Sequence, residues 1–151
     1  MLKSIGRHIT ADFYGCSFKD LNSIEFIQTA VLAALKNANL TLLDFSHKTF
    51  EPQGLTVLAL LAGSHMTVHT YPDRGFAAID IYTCEEQSRP DRAIQTMKEY
   101  LHPDKLKTTN IKRGDFGSER DMKPKIKVSI TPFRRVRSTG AKVLSIFSRV
   151  K

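Results

Sequence analysis

The segment Leu55–Cys84 reads LTVLALLAGSHMTVHTYPDRGFAAIDIYTC. Residues 55–62 are an almost continuous apolar run, the pattern of a strand buried on both faces or lying beneath a helix layer. Ser64–Tyr71 and Phe76–Cys84 carry the β-branched and aromatic residues of strands. Between them, Pro72-Asp73-Arg74-Gly75 is a turn signal, because Pro fixes φ and Gly tolerates a positive one. The two segments therefore read as a hairpin. A turn there sets Ser64 across from Thr83, one residue from Cys84, so a hydroxyl and a thiol distant in sequence become neighbours. His69 is a different matter. In a straight strand it lies about 16 Å from Ser64. To reach the same place, the strand has to bend or bulge.

Working outward, Ser4–Tyr14 alternates as a strand. A helix of about five turns is expected from Asp20, with Leu21, Ile24, Ile27, Val31 and Leu35 as its buried stripe and Asn37 and Asn39 at its end. Leu40–Phe45 reads as a short strand, and His47–Gly54 as a polar link. A second helix runs over Pro90–Leu101, with Pro90 suited to the first turn and Ile94, Met97 and Leu101 on one face. Leu106–Lys112 and Ile126–Ile130 are further candidate strands. The arrangement that buries both helical stripes is a two-layer α/β sandwich: a mostly antiparallel sheet with two helices on one face.

At 151 residues the chain fits one domain. No run reaches the length of a membrane span, and the alternating N-terminus reads as a strand, so a cytoplasmic protein is expected. Only two cysteines occur, Cys16 and Cys84, and no CxxC or HExxH spacing calls for a metal. The formal charge of +8 is unevenly spread: residues 123–151 hold nine of the 23 Lys and Arg and none of the 15 Asp and Glu. The reading is a domain over 1–122 and a basic C-terminal extension over 123–151, a solvated appendage. No nucleic-acid partner is expected. A membrane contact is expected, if at all, through this tail, where Val143, Leu144, Phe147 and Val150 stand at helical spacing.

Residue chemistry alone leaves the Ser-His-Cys group open. Ala62-Gly63-Ser64-His65 lacks the second glycine of a GxSxG elbow, which argues against a serine hydrolase. A Cys-His nucleophile remains possible, as does a purely structural role for all of them in a half-buried sheet.

The combination of Gly6-Arg7-His8, Ser64-His65, His69-Thr70-Tyr71-Pro72 and Ala77-Ala78-Ile79-Asp80 with Cys84 resembles the prokaryotic S-adenosylmethionine decarboxylase proenzymes, over roughly residues 1–115. The resemblance implies self-cleavage between Gly63 and Ser64, into a β chain 1–63 and an α chain from 64. It implies that Ser64 becomes a covalent pyruvoyl group, which forms a Schiff base with the substrate and accepts the electrons released as CO₂ leaves. It implies Cys84 as the proton donor, His69 as the processing histidine and Thr56 as a processing hydroxyl. Phe50 matches an aromatic that stacks on adenine and Asp73 a carboxylate that binds ribose; both also fit ordinary loop roles. Gly63 departs from the glutamate or lysine usual at its position. The implied substrate is S-adenosylmethionine, the product the aminopropyl donor for spermidine, and the assembly a homodimer of αβ units with sites near the interface. The rival expectations are an arginine or ornithine decarboxylase of the same chemistry, and an uncut homologue that binds a partner.

Overall fold

The structure is a computed structural model and describes residues 4–114. The expected strand Ile126–Ile130, the helical spacing in the tail and the domain boundary at 122 lie outside the described residues. Within them the elements are β1 (Gly6–Tyr14), α1 (Phe18–Leu21), α2 (Ile24–Asn37), β2 (Leu42–Thr49), β3 (Leu55–Leu61), β4 (Ser64–Tyr71), β5 (Phe76–Thr83), α3 (Pro90–Leu101) and β6 (Lys105–Arg113). The six strands form one sheet in the order β2-β3-β4-β5-β1-β6, and every neighbouring pair is antiparallel.

One face of the sheet carries the core. Ile9, Ala11 and Phe13 of β1, Leu55, Val57, Ala59 and Leu61 of β3, Met66 and Val68 of β4, and Ala77, Ile79 and Ile81 of β5 are buried there. They form one cluster with Ile27, Val31 and Leu35 of α2 and Ile94, Met97 and Leu101 of α3. The period-2 alternation of the strands and the 3.6-residue stripe of the helices meet on this surface. The result is the expected two-layer sandwich with α2 and α3 on one face.

The other face has no helix over it among the described residues. It displays Thr56, Leu58 and Leu60 of β3, His65, Thr67 and His69 of β4, and Asp80 and Tyr82 of β5. Leu58 and Leu60 are about half exposed, at 49% and 55%. His65 stacks on Tyr82, and His8 meets the same ring edge-on.

Three local expectations need correction. The helix predicted from Asp20 is two helices, because Asn22 caps the end of the first and Ser23 the start of the second. The Ser23 hydroxyl accepts from the Phe26 amide at 3.2 Å, satisfying an N-terminal donor of α2. Asp20 sits inside α1, whose cap is Ser17. The strand expected to end at Phe45 continues to Thr49, taking up the first part of the predicted link. It is an edge strand with both faces largely exposed, so it lacks the hydrophobic alternation that marks a strand. The third concerns Ala62-Gly63. It is a two-residue turn joining β3 and β4, with Gly63 at φ +68°, and Leu61 pairs with Ser64 across it.

Candidate active site

Two adjacent hairpins build the site, and they place its residues at opposite ends of the sheet. At one end lies the Ala62-Gly63 turn. The β4–β5 hairpin, turning at Pro72–Arg74 with Gly75 in the left-handed region, has the predicted register: Tyr71 pairs with Phe76 and His65 with Tyr82. That register carries the end of β5 past Ser64. Cys84, the first residue beyond β5, donates its thiol hydrogen to the carbonyl oxygen of Gly63 at 2.8 Å. The expected neighbourhood of Ser64 and Cys84 is therefore present, and more tightly drawn than strand pairing alone implies.

Ser64 itself points to the helix side and is 6% exposed. Its hydroxyl is buried with no hydrogen-bond partner in the structure. A buried hydroxyl ordinarily finds a partner, so one left free beside a polarised carbonyl is a group positioned for use. An open cleft of about 400 Å³ adjoins Cys84, lined in part by Ile5, Gly6, Arg7, Thr83 and Glu85. Arg7 does not point freely into it. Its guanidinium forks onto Asp91 at 2.6 and 2.9 Å and also donates to Asn110.

The other end of the sheet holds the remaining predicted residues. Thr56 and His69 are direct cross-strand partners, and Thr56 Oγ1 lies 2.9 Å from His69 Nδ1. Phe50 follows β2 at this same end and is half exposed, its amide donating to the Gly54 carbonyl across the β2–β3 loop. Asp73 lies in the β4–β5 turn, beside Arg74.

The bend or bulge needed to bring His69 to Ser64 does not occur. β4 pairs in unbroken register with β3 from Ser64 to His69 and with β5 from His65 to Tyr71. His69 therefore stays about 16 Å along the strand from Ser64, and on the helix-free face, whereas Ser64 faces the helices. Sequence reasoning missed the Thr56–His69 pair. The signal was available in Gly63: a turn at Ala62-Gly63 fixes the pairing of every residue of β3 with β4.

The two thiols differ. Cys84 is exposed and Cys16 buried. Burial, helped by the carboxylates of Asp104 and Asp20, pushes the Cys16 thiol up to about 11, which keeps it protonated and inert.

Comparison with known proteins places the chain in a family. The S-adenosylmethionine decarboxylase family matches residues 7–114. A relative from Brevibacillus brevis, an S-adenosylmethionine decarboxylase proenzyme, is 40% identical over 125 residues, covering 83% of this chain and 93% of its own. A second proenzyme of that name, from Prochlorococcus marinus, is 41% identical over 97 residues, covering 64% of this chain and 78% of its own. The crystal structure of the adenosylmethionine decarboxylase from Aquifex aeolicus superposes with a TM-score of 0.71 at 35% identity, over 75% of this chain and 93% of that one. The sheet, the serine-thiol end and these matches lead to one assignment: the chain belongs to the S-adenosylmethionine decarboxylase family.

Proposed function

We propose that this chain is a self-cleaving proenzyme that becomes a pyruvoyl-dependent decarboxylase of S-adenosylmethionine. One observation carries the reading most directly. The Cys84 thiol donates to the Gly63 carbonyl at 2.8 Å, and the next residue holds a buried, unpartnered hydroxyl. Attack by Ser64 Oγ on that carbonyl forms a C–O bond and breaks the peptide C–N bond, turning the amide into an ester. The hydroxyl proton goes to the departing nitrogen. The thiol supports this step by stabilising the charge that develops on the carbonyl oxygen. Loss of the Ser64 Cα proton then expels residues 1–63 as a carboxylate and leaves dehydroalanine, whose hydrolysis releases the nitrogen as ammonia and leaves a pyruvoyl group at the start of the second chain. Ser64 and its surroundings fit that group: the position is small, buried and next to a thiol. When present, the group supplies an electron sink for loss of CO₂ from an α-amino acid. Cys84, already beside it, is the natural proton donor to the carbon that loses CO₂.

Thr56 and His69 fit a second role. Joined at 2.9 Å, they form a unit able to relay a proton, but in one chain they stand far from the bond to be cut. A two-fold homodimer in which the helix-free faces meet and run in opposite directions removes the separation along the strand. It brings Thr56, His69, Phe50 and Asp73 of one copy toward Gly63, Ser64 and Cys84 of the other. Leu58 and Leu60, half exposed on β3 of that face, support it as a surface made to be covered. Phe50 then offers an aromatic face to the adenine and Asp73 an acceptor to the ribose. No helix among the described residues is long and apolar enough to cross a membrane, which fits the cytoplasmic setting we infer.

The test is the intact mass of the purified protein under denaturing conditions. Two pieces meeting at Gly63 and Ser64, the larger reacting with hydroxylamine, are expected. A permanently whole chain overturns the reading. CO₂ release from S-adenosylmethionine, arginine and ornithine, measured side by side, tests the substrate.

A further inference from the structure

We propose that Gly63 is a positioning residue for self-cleavage: a bare backbone at the scissile residue lets the Cys84 thiol rest on the carbonyl that Ser64 attacks. This deepens the self-cleaving reading above and rests on it.

The thiol is held from two directions by one residue. It donates to the Gly63 carbonyl at 2.8 Å. A Cβ built on Gly63 would stand 3.1 Å from the same sulfur and 3.8 Å from Glu85 Oε1. That sulfur contact is tighter than most Cβ contacts, so the thiol would have to give by a few tenths of an ångström. In this proposal it gives at the expense of its 2.8 Å bond to the carbonyl. The backbone makes a second demand, because φ at Gly63 is +68°, a conformation that strains residues with side chains. Relatives with glutamate or lysine here cut themselves too, so the demand for a bare backbone is set by where this chain rests its thiol. Cleavage needs no acid or base from position 63, since the hydroxyl proton moves to the departing nitrogen and the thiol keeps its own.

The experiment follows proenzyme made by cell-free translation, with first-order loss of the whole chain read by mass. Gly63→Ala is expected to slow cleavage by about tenfold or more, a part of the on the order of 100-fold that loss of a whole carbonyl donor costs. Gly63→Asn tolerates positive φ but carries the same Cβ, and it is expected to be slow as well. In a Cys84→Ala background the same Gly63→Ala change is expected to add no more than about threefold, because the thiol it displaces is gone. A separate readout uses uncut Ser64→Ala chains. Adding Gly63→Ala there should speed alkylation of Cys84, and a melting curve of the same pair reports folding independently. Equal cleavage rates for the wild type and Gly63→Ala overturn the inference. So does equal slowing with and without Cys84, or rescue by Asn. A wild-type chain that never cleaves overturns the parent reading instead, so the two failures are distinguishable.

Discussion

If His69 serves the Ser64 of a second copy, two inactive chains should restore each other. His69→Ala keeps the serine but lacks the histidine. Ser64→Ala keeps the histidine but has no nucleophile. The geometry sets the stakes: five residues of unbroken strand separate the two groups in one chain, about 16 Å, and residues at odd spacing face opposite sides of the sheet. Proton transfer needs a gap of about 3 Å. No rotamer of an imidazole closes that difference while the β4 ladders stay intact. Each chain made alone should therefore remain whole. Made together in equal amounts, about half of the His69→Ala chains should sit in mixed dimers and be cut, while every Ser64→Ala chain stays whole. Differently tagged chains and denaturing mass spectrometry read this directly. Mixed dimers that copurify with the His69→Ala chain still whole would refute the reasoning. Cleavage of the wild-type chain at an unchanged rate under dilution to the monomer would refute it equally.

Four further outcomes follow from the same structure. Cys84→Ser keeps a donor for the Gly63 carbonyl but is a far weaker acid; cleavage should continue while decarboxylation falls by about 100-fold, and Cys84→Ala should impair both. With a thiol raised to about 11, Cys16 has about a thousandth of its molecules as thiolate at pH 8. Native alkylation should therefore label Cys84 quickly and Cys16 only on unfolding. The unfolded chain gives up that proton first, so stability should decline as pH rises from about 9 toward 11, and less so in Cys16→Ala. Leu60→Asp on the helix-free face should leave the circular dichroism unchanged yet give a sedimenting monomer that cleaves slowly; a dimer that cuts normally would remove that face from the assembly.

The parts of the fold that sequence reveals are those where local chemistry and tertiary packing agree. Pro72-Asp73-Arg74-Gly75 sets a register that the sheet keeps without slippage, so the approach of Cys84 to Ser64 was legible. The Ala62-Gly63 turn was easy to miss because apolar residues run into it and Gly63 alone, with no Pro, Asn or Asp beside it, marks it. The Thr56–His69 bond was hidden with it. Helices α1 and α2 read as one because the apolar stripe passes from Leu21 to Ile24 without a break in period; the division shows only in the caps, where the Ser23 hydroxyl accepts from the Phe26 amide. β2 concealed itself by being an exposed edge. The separation of His69 from Ser64 could be stated from spacing, but whether the strand would bend could not, since bulges arise from pairing across strands.

The order β2-β3-β4-β5-β1-β6 has a consequence for what the proposed cut after Gly63 would do to the molecule. The first piece owns β1, β2 and β3 and the second β4, β5 and β6, so β1 lies threaded between β5 and β6 of the other piece. Three of the five seams in the sheet then join separate chains. Such pieces are interlocked by weaving and do not fall apart when the peptide bond goes. Rebuilding them is another matter. The whole chain folds as a single molecule, whereas the severed halves would have to find each other in solution and re-thread a central strand. Maturation is thus a one-way passage: denaturing the cut enzyme should erase a structure that only its uncut precursor could assemble readily.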